Sequence, residues 1–338
     1  MPGQWQVRFG ALAVVVSAVL HAAPWVESSS AFEYTQVHMG IPVRIVLYAA
    51  DETSAMRAAT AAFARIGELD RAMSDYRPDS DIREVARRAP AAVPVAPDVF
   101  RAVTRAIEIA RATDGAFDPT VAPLVELWRD ARATSRLPPP AAIARARALV
   151  GWRRVELDAA RVSMRLPVSG MRIDLGGLGK GYILQAALDT LRSVGVRSAL
   201  IEAGGDIVVG DAPPGRAGWR IEIPASTQSG GDGTSGISGG LFRRAATLTN
   251  AALATSGASV QFVEIDGIRY SHVVDPRTGQ ALTTSVTAHV IAPDGATADA
   301  LATAATVIGE RGLATLRARF PEALIHLGMP VGLTAPLR

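Results

Sequence analysis

Strand-like and helix-like stretches alternate along this chain without a regular βαβ period. That order points to an α+β fold, with mixed or antiparallel sheets and packed helices, and argues against a doubly wound parallel sheet. Residues 43–48 read as a strand. Residues 53–74 read as a helix, with Met56, Ala59, Phe63, Ile66, Leu69 and Met73 at helical spacing. A second helix is predicted from Pro97, a good first-turn residue, to Ala112, stopped by Asp114-Gly115. Pro138-Pro139-Pro140 breaks the chain before a short helix through Val150. Residues 153–157 and 161–166 form a predicted hairpin across Asp158-Ala159-Ala160. A helix over 181–194 and a strand over 198–202 follow. Strand-like pieces then come at 220–223, 246–249, 261–265, 269–274 and 285–291. Helices near 296–308 and 310–319 and a strand near 323–327 close the chain. Residues 226–240, rich in Gly and Ser, read as a flexible surface insertion between two strands.

The first residues stand apart from this pattern. Arg8 precedes an apolar run, 9–20, then Ala22-Ala23-Pro24 and the serines 28–30, the layout of a secretory signal peptide. The run is short for a membrane span, which needs about 20 apolar residues. The expected division is therefore a signal peptide or N-terminal anchor over 1–31 and one domain over 32–338. Such a leader predicts export, to the periplasm or the outer face of the cytoplasmic membrane. The chain has no cysteine, which removes disulfides, thiolate metal sites and Cys nucleophiles. With a formal charge of +3 and scattered arginines, there is no case for a nucleic-acid partner.

Five short motifs carry chemical interest. In the predicted helix near 296–308, Asp299 and Thr303 are four apart and share a face; the pair suits a hard cation such as Mg²⁺, or is an ordinary helix start with an acidic residue. Asp174-Leu-Gly176-Gly177-Leu-Gly179-Lys180-Gly181 fails the Walker and Rossmann spacings. It still offers backbone N–H groups at a helix N-terminus beside Lys180, the only lysine of the chain, a suitable place for a diphosphate. Lys180 there opposes the helix dipole unless an anion compensates. Asp118-Pro119 reads either as a helix cap followed by a first-turn proline or as part of a ligand site. Ser271-His272-Val-Val-Asp275-Pro-Arg-Thr-Gly279 reads as a strand ending in a turn, with Glu202-Ala-Gly-Gly-Asp206 as a second tight turn.

Taken in order, these motifs resemble the ApbE family, the FAD:protein FMN transferases. The resemblance runs through Met39-Gly40, Ser74-Asp-Tyr76, Gly115-Ala-Phe-Asp118-Pro-Thr120, Pro123-Leu124 and Trp128. It continues through the Asp174–Tyr182 stretch, Gly204-Gly-Asp206, Thr255-Ser-Gly257, His272–Gly279, Asp299 and Thr303. It implies two lobes around a central FAD cleft, with FAD and Mg²⁺ bound. FAD contacts are then expected at Met39, Tyr76, Ala116, Phe117, Asp118, Asp174, Lys180, Ser271 and His272. The metal is expected on Asp299 and Thr303, with backbone oxygens near Gly177 and Ala296. The implied reaction splits FAD at its diphosphate, joins FMN by a phosphoester to a Thr of an acceptor protein, and releases AMP. Lys180 is then expected to neutralise charge and His272 to accept the Thr proton. An FAD pyrophosphatase, or a flavin-binding protein without turnover, are the alternatives.

Overall fold

A computed structural model describes residues 29–223, 226–227, 245–257 and 262–330. Most of the leader, and residues 228–240 of the Gly/Ser insertion, lie outside them. Along the chain come β1 (Ser30–His38), β2 (Ile41–Ala49), α1 (Glu52–Met73), α2 (Asp81–Arg87), β3 (Val93–Pro94), α3 (Pro97–Ala112), α4 (Ala122–Thr134) and α5 (Pro140–Ala148). Next are β4 (Glu156–Asp158), β5 (Ser163–Arg165), α6 (Gly179–Ser193), β6 (Ala199–Ala203), β7 (Asp206–Val209), β8 (Trp219–Glu222), β9 (Ser226–Thr227) and β10 (Ala245–Leu248). The last are β11 (Ala251–Gly257), β12 (Phe262–Ile265), β13 (Ile268–Ser271), β14 (Thr287–Ala292), α7 (Gly295–Arg319) and β15 (Leu324–Pro330).

The fold is α+β. An eight-stranded sheet, ordered β1-β2-β6-β7-β11-β14-β15-β9, is antiparallel at every pairing. One face carries Val43, Ile45, Ile201, Ala254 and Val290 into the main core against α1, α3, α6 and α7. The other face carries Leu200, Val209, Leu253 and Ile291 against the β8–β10 ribbon, through Trp219 and Leu248. With both faces covered, the central strands are apolar on both sides over most of their length rather than alternating. A smaller core joins α4 and α5 (Leu124, Trp128, Ile143) to Val274 and Ala281. The cleft described below lies between the two cores.

Several sequence expectations need correction. Met56 is 54% exposed, because the buried stripe of α1 runs through Ala55, Ala59, Ala62, Phe63 and Ile66, and Met56 sits a hundred degrees round from its start. No helix starts at Asp118; α4 begins at Ala122 with Val121 at its cap. The strand expected over 269–274 ends at Ser271, where the Ser271 hydroxyl accepts the Val273 N–H (3.0 Å) and bends the chain. The helices near 296–308 and 310–319 run together as α7, kinked at Gly309 (φ 63°).

Three neighbouring strands carry a buried polar row. His289 pairs across to Thr255 on one side and His326 on the other, and its Nδ1 lies 3.0 Å from the Thr255 hydroxyl. Burial, with His326 beside it, pushes the His289 imidazole down to about 4. Such a group binds fewer protons folded than unfolded between about pH 6.5 and 4. Its contribution is therefore present above 6.5 and lost as the pH falls through 4. Chemical denaturation at pH 7 and pH 4 should show wild type losing about 3 kcal/mol more than His289→Gln over that interval. Equal losses would rule His289 out as the acid-sensitive group.

Candidate functional site

Two helix N-termini and one strand start converge beneath the cleft. Asp294 caps α7, its carboxylate accepting the Thr297 N–H at 2.8 Å, so Asp299 is not the helix-start residue that its spacing alone allowed. Asp299 lies a turn further on, 5% exposed, and its Oδ2 accepts the Gly181 N–H of α6 at 3.1 Å. Burial and the nearby Asp206 push its carboxyl up to about 7. This contact depends on glycine. A Cβ on Gly181 would stand 2.0 Å from the Gly295 carbonyl oxygen, and one on Gly295 would stand 2.1 Å from that of Gly181. One turn beyond Asp299, the Thr303 hydroxyl sits 2.9 Å from the point that a Gly177 Cβ would fill.

Lys180 occupies the first turn of α6 and is ion-paired to Asp206, which starts β7 and also accepts the Thr255 N–H (3.1 Å). Burial works against the Lys180 charge, but Asp299 and Asp206 outweigh it and hold the ammonium above the usual lysine value. The anion that offsets the helix dipole at Lys180 is thus a protein carboxylate.

The cleft itself is lined by Tyr76, Ala116, Phe117, Asp118, Asp174, Gly177, His272 and Thr303 of the expected residues. Asp118 is no cap. Its Oδ1 accepts the N–H (2.8 Å) and hydroxyl (2.6 Å) of Thr120, and its Oδ2 accepts the Trp152 N–H (3.1 Å), which ties the 116–120 loop to a distant segment. Burial raises its carboxyl above the ordinary range. Asp174, likewise raised by burial, accepts the Gly176 N–H (2.7 Å) and so shapes the glycine turn. Tyr76 projects 78% exposed at the rim. His272 follows the bend at Ser271, and the turn beyond it closes by Gly279 N–H to the Asp275 carbonyl (2.8 Å). Asp275 grips Arg277 through both carboxylate oxygens and so builds that turn.

Not every expected residue comes to this place. Met39 lies at the β1–β2 turn (φ 53°), its N–H donating to Asp70 at 3.2 Å, and is not among the cleft-lining residues. Ser271 is buried and spends its hydroxyl on Val273. Ala296 opens onto a different groove, beside Arg65, Arg105 and Tyr182. Lys180 and Asp299 also lie outside the lining, behind it. Conversely, Arg129 and Arg132 of α4 and Asp75 line the cleft without having been expected. Asp75 pairs with Arg172 (3.1 Å), 97 residues away, a spacing that carries no sequence signal. The two arginines had a weak one, an i,i+3 pair, but only once α4 was recognised as a helix.

Among the described residues no group of three or more His, Cys, Asp or Glu stands ready for a metal. Beside the Lys180–Asp206 ion pair, what converges is one further buried carboxylate, one hydroxyl and glycine backbone. The raised Asp299 carboxyl marks a charge that its single N–H donor does not fully satisfy, and the donors are all oxygen. That set fits a hard cation that keeps waters and takes substrate phosphate oxygens.

Comparison with known proteins finds relatives in both sequence and fold. The sequence profile of the ApbE family matches residues 39–325. An FAD:protein FMN transferase of Klebsiella pneumoniae (strain 342) is 32% identical over 297 residues, 85% of this chain and 86% of that one. One from Treponema pallidum (strain Nichols) is 30% identical, over 86% and 82%. Among solved structures, an ApbE protein from Thermotoga maritima superposes with a TM-score of 0.76 at 28% identity, covering 89% of this chain and 97% of that one. The flavin transferase ApbE of Vibrio cholerae gives 0.72 at 25% identity, over 89% and 94%.

Proposed function

Because this chain belongs to the ApbE family of FAD:protein FMN transferases, and is an enzyme that transfers flavin, we propose that it joins FMN from FAD to a Thr hydroxyl of an acceptor protein, with Mg²⁺. The observation that carries this reading is buried Asp299 with Thr303 one turn beyond it on the wall of a cleft that has aromatic sides. The Thr oxygen bonds to the FMN phosphorus, the bond from that phosphorus to the bridging oxygen breaks, and AMP leaves with the bridging oxygen. His272, on the cleft wall, accepts the Thr proton. The Lys180 ammonium, held charged by Asp206 and Asp299, supplies positive charge beneath the diphosphate. Tyr76 and Phe117 present ring surface to the flavin or adenine. Asp299 and Thr303, with backbone near Gly177, would hold Mg²⁺, which when bound neutralises phosphate charge.

The acceptor on this reading is a membrane or extracytoplasmic redox protein, and the enzyme works outside the cytoplasm. The leader composition supports this placement. Among the described residues, no helix is long and apolar enough to cross a membrane. Mass spectrometry of a Thr-bearing acceptor incubated with enzyme, FAD and Mg²⁺ tests the proposal. An FMN adduct is expected; free FMN and AMP alone would mean hydrolysis, and tight FAD binding with neither product a carrier. His272→Ala should slow transfer about 10²–10⁴-fold at saturating FAD. A loss well under that range would leave His272 a structural residue.

A further inference from the structure

Two arginines of α4 lie in the cleft wall; the Arg129 charge acts on the nearby Asp174 carboxyl, and Arg132 makes no ion pair among the described residues. Arg129 lies over the Tyr76 ring, 4.7 Å from its centre, and its Nη2 donates to the phenol oxygen at 3.3 Å. Arg132 follows three residues later on the same helix face. Its Nη1 is buried and has no hydrogen-bond partner among the described residues. Burial, and then the neighbouring Arg129 charge, push the Arg132 guanidinium below the usual arginine range. A buried donor facing a like charge lacks an acceptor.

The surroundings say what kind of acceptor suits it. Phe117, Val121, Val125 and Val273 make the adjoining wall apolar, and Tyr76 adds a ring face. A planar ligand with apolar faces and oxygens along one edge fits such a slot. A phosphate would ask for both guanidiniums and a wetter setting, whereas Arg129 lies over the Tyr76 ring with one donor on its hydroxyl. We propose that Arg132, beside the Arg129–Tyr76 pair, donates to the oxygen-bearing pyrimidine edge of the flavin ring and so selects the flavin half of the substrate. This rests on the reading of the cleft as an FAD site.

Separate titrations of the full chain with FAD, riboflavin and ADP test it. Arg132→Gln should weaken riboflavin about tenfold and leave ADP unchanged. The midpoint potential of bound riboflavin should also fall by about 30 mV, a tenfold loss of preference for the reduced, more negative ring. A purely structural role would not produce that shift with ADP binding intact. Loss of ADP affinity instead would mean that the arginine reads a phosphate, and would overturn the inference, as would unchanged riboflavin binding. If wild type bound neither FAD nor riboflavin, the FAD reading itself would fall, and this assignment with it. Should Arg132→Gln not fold, Arg132→Lys carries the same contrast, since it keeps charge and stem but loses the planar fork.

Discussion

Asp299→Asn should lower flavin transfer by about 10³-fold or more, while leaving the metal-free protein as stable as wild type, or more so, at pH 8. The activity loss follows from removing the carboxylate of the oxygen cluster that has no lysine paired to it, and 10³ in rate is about 4 kcal/mol of barrier. The stability half follows from the raised carboxyl. Its folded pKa of about 7 lies well above the ordinary carboxylate range. A group shifted in that direction contributes fully below about pH 4, and its contribution is lost as the pH rises through about 7. At pH 8 without metal, wild type therefore carries a buried charge at a cost of a few kcal/mol, and Asn removes that charge. Melting curves in chelator and in excess Mg²⁺ separate the two halves. Wild type should gain from Mg²⁺ by mass action and the variant should not. A variant that still responded to Mg²⁺ in melting and kept near-normal transfer would remove Asp299 from the metal site.

Gly181→Ala should be the most damaging small substitution in the molecule. The new methyl would stand 2.0 Å from the Gly295 oxygen and 3.0 Å from the Asp299 Cβ, and the nearest atoms are backbone. No rotamer relieves it, so α6 and α7 must separate. Overpacking of this kind costs about 1–3 kcal/mol and more when backbone must move. The displacement also breaks the Gly181–Asp299 hydrogen bond and shifts Lys180, so transfer should collapse with stability. Gly67→Ala on α1 is the matched control. Its methyl meets nothing closer than 3.5 Å, and alanine is the better helix former, so it should be neutral or slightly stabilising. Thermal melting of both variants decides the matter. A Gly181→Ala protein that melted with wild type would mean the helices have more room than their crossing shows.

Local chemistry made part of this fold legible and hid the rest. α3 was readable because Pro97 opens it and an apolar stripe ends at Ala112. α1 was readable for the same periodic reason, apart from Met56. β11 was not, because Ala-Ala-Leu-Ala-Thr-Ser-Gly has no strand preference of its own; it is a strand because β7 and β14 pair with it. The start of α4 was set too early because Asp118-Pro119 looks like a helix start, while that carboxylate serves Thr120 and a backbone N–H 34 residues away. The site shows the same divide. Asp299 and Thr303 share a face by local spacing, but the contact of Asp299 with Gly181 spans 118 residues. Only the resemblance of the whole motif series joined them; the spacing of any one motif did not. Arg132 belongs to neither source, since its meaning depends on an unfilled donor that appears only in three dimensions.

Trp128 fastens one side of the cleft to itself. Its indole N–H donates to the Gly279 carbonyl at 2.9 Å, Tyr270 stacks on it at 5.3 Å, and Gly279 fits against Ile143 and Leu124 so closely that a Cβ would not. The helix bearing Arg129 and Arg132 and the loop bearing His272 are therefore one cooperative unit with a shared opening free energy. In amide exchange, protection along α4 and along 271–282 should rise and fall together. A ligand seated against the arginines then steadies the imidazole as well, without touching it.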